Sequence, residues 1–306
     1  MKLIRDPSSP LETDTVGTIG IFDGVHLGHR KLLDLVKAEA RTKGLASLVV
    51  TFDPHPQSVL TGVNLPLIVP FDERVRLLGE AGVDLVVCYT FTSRFARLSA
   101  EQFVRDVLAS TLRMKSIYIG PDFLFGSGRG GNVELLERLG REVGFSTHVV
   151  GPFYLDGTVI SSTSIRNMIE EGDVRGAARF LGAFFSLYGK VVEGEKRGRL
   201  LGYPTANVAT NWTLLPKRGV YATRAHICGA CRGSITNVGT RPTFGDGRLL
   251  VETHIFDFEA DIYGEPIRVE FVERLRDERR FGSVEELKAA IGRDVEKAKR
   301  LLATPA

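Results

Sequence analysis

The first half of the chain alternates short apolar runs with amphipathic stretches of helical period. Val16, Ile19 and Ile21 with Phe22 make one apolar run, after which Leu32, Leu33, Leu35 and Val36 recur at helical spacing. A second run, Leu45 to Phe52, is followed by a predicted helix over 71–81, a strand over 83–90, a helix over 99–112, a strand over 115–119, a helix over 132–143 and a strand over 145–150. Such alternation argues for a parallel sheet, because parallel neighbours need a crossover that lays a helix on the sheet face. A hairpin-like stretch over 153–160 and helices over 163–171 and 173–181 lead to Gly182. From Phe184 the rhythm changes to strands over 185–193, 219–227, 231–239, 248–256 and 266–275, broken by glycine and proline, and then one long amphipathic helix from Ser283 to Leu302. That pattern predicts a small antiparallel β-barrel with a terminal helix. The expected fold class is therefore α/β plus β, a doubly wound parallel-sheet domain over 1–183 and a barrel domain over 184–306.

Composition narrows the partners rather than the fold. At 306 residues two cores are the default expectation, and 43% hydrophobic with 25% charged residues is ordinary for a globular chain. The net charge of +3 points to neither nucleic acid nor membrane as a partner, and Arg274, Arg276, Arg279 and Arg280 are interleaved with Glu273, Asp277 and Glu278, as on a solvated face. The start lacks an apolar signal core and no run of about 18 apolar residues occurs, so the expected location is cytoplasmic. Cys88, Cys228 and Cys231 make no disulfide framework. Cys228-Gly-Ala-Cys231 lies between two strand-like runs with no second pair beside it; a hairpin turn at Gly-Ala is expected, and no zinc.

Candidate chemistry sits where elements turn. The first strand passes into its helix through Phe22-Asp23-Gly24-Val-His26-Leu-Gly28-His29. A helix N-terminus presents unpaired amides to anions, and glycine at position 28 would let a ligand approach the backbone. Either histidine alone reads as a polar loop residue. The pair, three apart and flanked by Gly24 and Gly28, supplies donors where negative charge would grow on a phosphoryl group. Asp53-Pro-His55-Pro follows the second strand at the sheet edge where ligands of open α/β sheets gather. Ser161, Ser162, Thr163 and Ser164 with Arg166 exceed what one helix cap needs. Gly126, Gly128 and Gly131 fit GxGxxG and keep a nicotinamide-dependent oxidoreductase in view, testable by NAD binding, although such a fingerprint should follow the first strand. No GxxxxGK[ST] occurs. In the second half, Gly202-Tyr-Pro-Thr205-Ala-Asn207 could be an ordinary turn, and Glu252 stands in a strand otherwise apolar at Leu250, Val251 and Ile255.

Together these motifs resemble bacterial FAD synthetases over roughly residues 15–302. Gly-Ile-Phe-Asp-Gly-Val-His-Leu-Gly-His looks like the HxGH motif of nucleotidylyltransferases in the form those enzymes use; Phe52-Asp-Pro-His-Pro, Gly120-Pro-Asp122-Phe123-Leu-Phe125-Gly and Ser161-Ser-Thr-Ser-Ile-Arg166 resemble their further motifs. The resemblance implies ATP binding by Phe22, Asp23, Gly24, Gly28, Ser162, Thr163 and Arg166, flavin binding by His55, Asp122, Phe123 and Phe125, and catalysis by His26 and His29. Leu124 departs from an arginine often found there. Pro-Thr-Ala-Asn with the Glu252 strand resembles the riboflavin kinase signature, implying phosphate binding by Gly202, Thr205 and Asn207, Mg²⁺ on Thr205 and Asn207, and Glu252 as the base. Lys217-Arg-Gly-Val-Tyr-Ala222, Asn237-Val-Gly-Thr-Arg-Pro-Thr-Phe244 and Leu275-Arg276-Asp-Glu-Arg-Arg-Phe281 also follow the kinase pattern, with Arg276 a flavin contact and Gly282 in place of an acidic residue. What is implied is a bifunctional riboflavin kinase and FMN adenylyltransferase whose partners are riboflavin, FMN, FAD and ATP, with Mg²⁺ and without zinc. A flavin-binding regulator that has lost catalysis is the rival from another class; the presence of His26, His29, Thr205, Asn207 and Glu252 speaks against it.

Overall fold

The structure, a computed structural model, describes residues 1–194, 197–240 and 249–303. Two compact units divide it, Met1–Ser162 and Thr163–Ala306.

In the first unit six strands, β1 (Lys2–Arg5), β2 (Thr15–Ile19), β3 (Ala46–Asp53), β4 (Leu85–Thr90), β5 (Met114–Ile119) and β6 (Ser146–Val149), form one wholly parallel sheet in the order β1-β4-β3-β2-β5-β6. Helix α1 (Leu27–Lys43) joins β2 to β3, α2 (Pro56–Thr61) and α3 (Phe71–Glu80) join β3 to β4, α4 (Ala100–Gln102) continues into the π-helical stretch Phe103–Thr111 before β5, and α5 (Val133–Val143) precedes β6. Both faces are covered because strand side chains alternate. Leu48, Val50, Phe52 and Val87 pack with Val104, Leu108 and Leu136, whereas Val49 and Val86 pack with Leu33 and Leu78 on the other side. The chain leaves β2 toward β3 and β4 on one side and later adds β5 and β6 on the other, so the order reverses between β2 and β5. Open α/β sheets bind ligands at the carboxyl ends of strands at such a switch point. A small hairpin, β7 (Tyr154–Leu155) and β8 (Thr158–Val159), ends the unit.

The doubly wound expectation holds, and the structure adds β1 and α2. β1 is a four-residue edge strand whose Lys2 and Arg5 mask its apolar centre in any pattern search. Helices α6 (Ser162–Glu171) and α7 (Val174–Leu181), which the pattern groups with the first half, fall almost wholly in the second unit. α7 packs on the last barrel strand, and the Lys217 amide donates to the Ile169 carbonyl at 3.2 Å.

The second unit is a closed antiparallel barrel of β9 (Ser186–Val192), β10 (Ala206–Ala209), β11 (Gly219–Ile227), β12 (Ala230–Thr240), β13 (Leu249–Ile255) and β14 (Pro266–Arg276), ordered β10-β13-β12-β11-β14-β9. A short helix α8 (Arg197–Leu200) lies between β9 and β10, and the terminal helix α9 (Val284–Ala303) packs Val295 and Ala298 on Val220, Ala222 and Ile235. One strand more closes the barrel than the sequence suggests: β10 has only four residues and carries Ala206-Asn207, part of a motif that the pattern does not assign to a strand. Inside, Thr223 bonds Ser234 at 2.7 Å and Thr236 at 2.8 Å, and Thr236 bonds Thr253 at 2.9 Å, so the hydroxyls buried there satisfy one another. Alternation then turns Asn237 and Glu252 to the outer face, beneath α9.

The β11–β12 hairpin turns at Cys228-Gly229, one residue earlier than expected. Both residues have positive φ, 50° and 72°, the type I′ geometry whose twist suits paired strands, which leaves Ala230 to pair with Ile227. The Gly282 departure is absorbed locally, since the Glu286 carboxylate accepts from the Gly282 amide at 2.9 Å and the Ser283 hydroxyl accepts from the Glu286 amide. Arg241 to Phe244 of the kinase-like motif lie outside the described residues. Among the described residues no helix is long and apolar enough to cross a membrane.

Candidate active sites

At the carboxyl end of β2 the chain makes a strained turn. Phe22 and Val25 both have positive φ, 56° and 41°, and the Val25 amide donates to the Phe22 carbonyl. A buried β-branched residue in the left-handed region is costly and persists only where the surroundings enforce it. Asp23, 2% exposed, enforces it: its carboxylate accepts from the Ile68 and Val69 amides at 3.1 and 3.2 Å, and its carbonyl accepts from the Ser162 hydroxyl at 3.0 Å. Phe22 is buried in the core with its ring 4.9 Å from that of His29, so its side chain backs the histidine rather than offering an open face.

His26 is the N-cap of α1, its Nδ1 accepting from the His29 amide at 3.2 Å. An acceptor Nδ1 puts the neutral ring's proton on Nε2, leaving that N–H as the donor. The His26 and His29 rings stack with centroids 3.5 Å apart. Burial lowers the His26 pKa to about 4, and burial together with the His26 charge holds His29 well below the usual histidine range. Both imidazoles are therefore neutral near pH 7, hydrogen-bond donors rather than cations.

The structure adds two features to this turn. One of the helix's open amides, that of His29, is taken by the His26 ring. Gly28 makes room for that same ring: a Cβ there would lie 3.2 Å from His26 Nδ1, 3.3 Å from Cε1 and 3.5 Å from the Ile160 carbonyl.

The other candidate residues of the first unit follow the carboxyl ends of β3 and β5. His55 caps α2, its Nδ1 accepting from the Gln57 amide at 3.1 Å. Beyond β5, Asp122 is exposed and Phe123 stacks on Phe125 at 5.4 Å. The glycines behind them serve packing: a Cβ on Gly126, at φ 73°, would meet the Ala100 amide at 2.6 Å, and one on Gly131 would meet the Phe125 ring at 2.7 Å. Helix α5 opens on Asn132, whose Oδ1 accepts from the Leu135 amide, so these glycines do not form a dinucleotide fingerprint. Within α6, in the second unit, Arg166 Nη2 donates to the Thr163 hydroxyl at 3.3 Å.

In the second unit a cavity of about 820 Å³ lies between the outer face of the barrel and α9. Register brings its polar wall together: Glu252 on β13 is paired with Asn207 on β10 at one side and Asn237 on β12 at the other. Thr205 and Arg276 also line it, and Gly202, at φ 85°, turns the preceding loop. Arg276 is committed to the helix, its guanidinium holding Asp294 at 2.8 to 3.2 Å with side chains only 22% and 10% exposed. Two lining residues escape the sequence reading of the site. His254 Nδ1 donates to the Pro204 carbonyl at 2.8 Å and holds the Pro-Thr-Ala-Asn segment against β13. Asn237 flanks Glu252. His254 stands two residues along the strand from Glu252, which places it on the same face, and that period was the signal available for it.

Comparison with known proteins covers both halves of the chain. A family model described as FAD synthetase matches residues 8–164, and one described as riboflavin kinase matches residues 181–302. The chain is 40% identical to the bifunctional riboflavin kinase/FMN adenylyltransferase of Escherichia coli strain K12 over 96% of each chain. It is 38% identical to that of Pseudomonas fluorescens over 100% of this chain and 99% of the other. A crystal structure from Streptococcus pneumoniae, described as a macrolide-efflux protein, matches with a TM-score of 0.89 and 33% identity, covering 97% of this chain and 98% of that one. A full-length match at this identity, spanning both halves, means that the chain belongs to the bifunctional riboflavin kinase/FMN adenylyltransferases.

Proposed function

We propose that the two activities of this family are divided between the two regions, with adenylylation at the His26–His29 turn and phosphorylation at the Glu252 cavity. The observation that carries the first assignment is the stacked, neutral histidine pair at the switch point of a parallel sheet. There the FMN phosphate attacks the ATP α-phosphorus in line and pyrophosphate leaves, while His26 Nε2–H and His29 donate to the oxygens on which charge grows. Phe22, Asp23, Gly24 and Gly28 shape that turn; Ser162, Thr163 and Arg166 supply donors suited to pyrophosphate, and His55, Asp122, Phe123 and Phe125 an aromatic and polar surface suited to the flavin.

In the cavity Glu252 accepts the proton of the riboflavin primary hydroxyl as its oxygen attacks the ATP γ-phosphorus and ADP leaves. Its pairing beside Asn207 supports this role. The Thr205 hydroxyl and Asn207 amide are oxygen donors of the kind Mg²⁺ takes, so they fit that ion together with the phosphates; when bound, Mg²⁺ neutralises phosphate charge. Gly202 lets the phosphate loop turn, and Arg276, fixed by Asp294, borders the flavin end. Three thiols without a disulfide accord with a reducing, cytoplasmic setting.

The test is a double dissociation. His29→Ala should slow FMN adenylylation on the order of 10²–10³-fold and leave riboflavin phosphorylation intact, so FMN accumulates. Glu252→Gln should stop phosphorylation while supplied FMN is still converted to FAD. A folded Glu252→Gln protein deficient in both reactions, or a His29→Ala protein deficient in neither, would refute the assignment.

A further inference from the structure

Arg74 is 1% exposed, among the most deeply buried large side chains of the protein. On an amphipathic helix an arginine ordinarily faces water, and a buried cation is costly unless it is engaged; Nε has no hydrogen-bond partner, so the two Nη groups carry the engagement. Here its guanidinium forks: Nη1 donates to the Ile21 carbonyl at 3.0 Å and Nη2 to the Phe52 carbonyl at 3.0 Å, and the group lies 5.1 Å from the Phe71 ring. Those two carbonyls are placed with purpose. Ile21 is the last residue before the Phe22–Val25 turn that carries His26, and Phe52 is the penultimate residue of β3, just before the loop that carries His55.

The clamp is reciprocal. Arg74 on α3 holds the two loops, and Asp23 in the first of them holds the Ile68 and Val69 amides of the segment leading into α3. Burial works against the charged guanidinium and lowers its pKa, while the charges of Asp23 and Asp53 act in its favour. Thr51 Oγ1 donates to the same Ile21 carbonyl at 3.2 Å, so the end of β2 is gripped from two elements.

We propose that Arg74 is a positioning residue for adenylylation, fixing the separation between the histidine turn and the His55 loop so that phosphate and flavin meet in line. The proposal rests on the assignment of adenylylation to the His26–His29 turn. A planar two-pronged donor sets a distance between two acceptors, whereas an ammonium is a point charge that satisfies one and leaves the other buried and unpaired.

The experiment compares Arg74→Lys, Arg74→Met and His29→Ala with the parent in the full chain, measuring FMN adenylylation, riboflavin phosphorylation and thermal unfolding. Arg74→Lys should unfold within a few degrees of the parent, keep phosphorylation, and lose about 10-fold in the kcat of adenylylation with KM values for ATP and FMN changed little, the signature of lost alignment. Arg74→Met, if folded, should lose about 10²-fold, so that lysine rescues part of the loss. Full kcat in Arg74→Lys, a loss confined to KM, or a loss matching only the unfolded fraction would overturn the proposal. If His29→Ala also kept adenylylation, the site assignment itself would fall; if His29→Ala lost it while Arg74→Lys did not, only the role of Arg74 would.

Discussion

Gly28→Ala separates the needs of the helix from those of the site. The new Cβ would sit 3.2 and 3.3 Å from the His26 ring, so the ring must move by a few tenths of an ångström or the helix start must shift. The bond from the His29 amide to Nδ1 is already 3.2 Å, at the long end of the useful range, and would break. Losing such a cap costs about 1 kcal/mol, and alanine in place of helical glycine returns up to about 1 kcal/mol, so stability should be nearly unchanged. Activity should not be. If His26 is the donor proposed for adenylylation, a displacement of a few tenths of an ångström should lower that activity about 10-fold, given that a 1 Å misplacement can cost 10²-fold. Flavins separated after incubation with FMN and ATP measure the loss; phosphorylation of riboflavin by the same preparation and a melting curve serve as controls. Adenylylation at the parent rate in a folded Gly28→Ala protein would refute the claim that this glycine exists to seat His26.

Two further outcomes follow. Because the His26 pKa is held at about 4 when folded against 6.5 when unfolded, the unfolded chain binds more protons between those values, so stability should fall as pH drops from 6.5 toward 4, by up to about 3 kcal/mol from this residue. Melting curves over that range should be shallower in pH for His26→Asn. A fragment of residues 184–306 lacks α7, whose Val174, Ala177, Phe180 and Leu181 are buried, and should melt below one of residues 163–306; equal melting temperatures would place the boundary at residue 183 rather than before α6.

What could be read from the chain alone was what is local. Apolar runs alternating with helical periods specified the parallel sheet, because a strand and its crossover helix each carry their own period. The histidine motif stood out because turn, glycines and helix start are adjacent in sequence. The hairpin at Cys228 was misplaced by one residue, since both Cys-Gly and Gly-Ala fit the pattern and only strand register chooses between them.

Tertiary structure decided everything that depends on neighbours remote in sequence. β10 is a strand because Val192 and Glu252 flank Asn207, not because four residues have strong preferences. Pairing across β10, β13 and β12 assembles Asn207, Glu252 and Asn237 from three separate stretches. α7 reads as the end of the first half, yet it packs on β14 of the barrel unit. Nothing in the sequence marks Arg74, and only the approach of two strand ends gives its guanidinium the carbonyls that make burial tolerable. Periodicity records which face of an element avoids water; it carries no record of which distant backbone will meet that face, and here that meeting sets the geometry of both candidate sites.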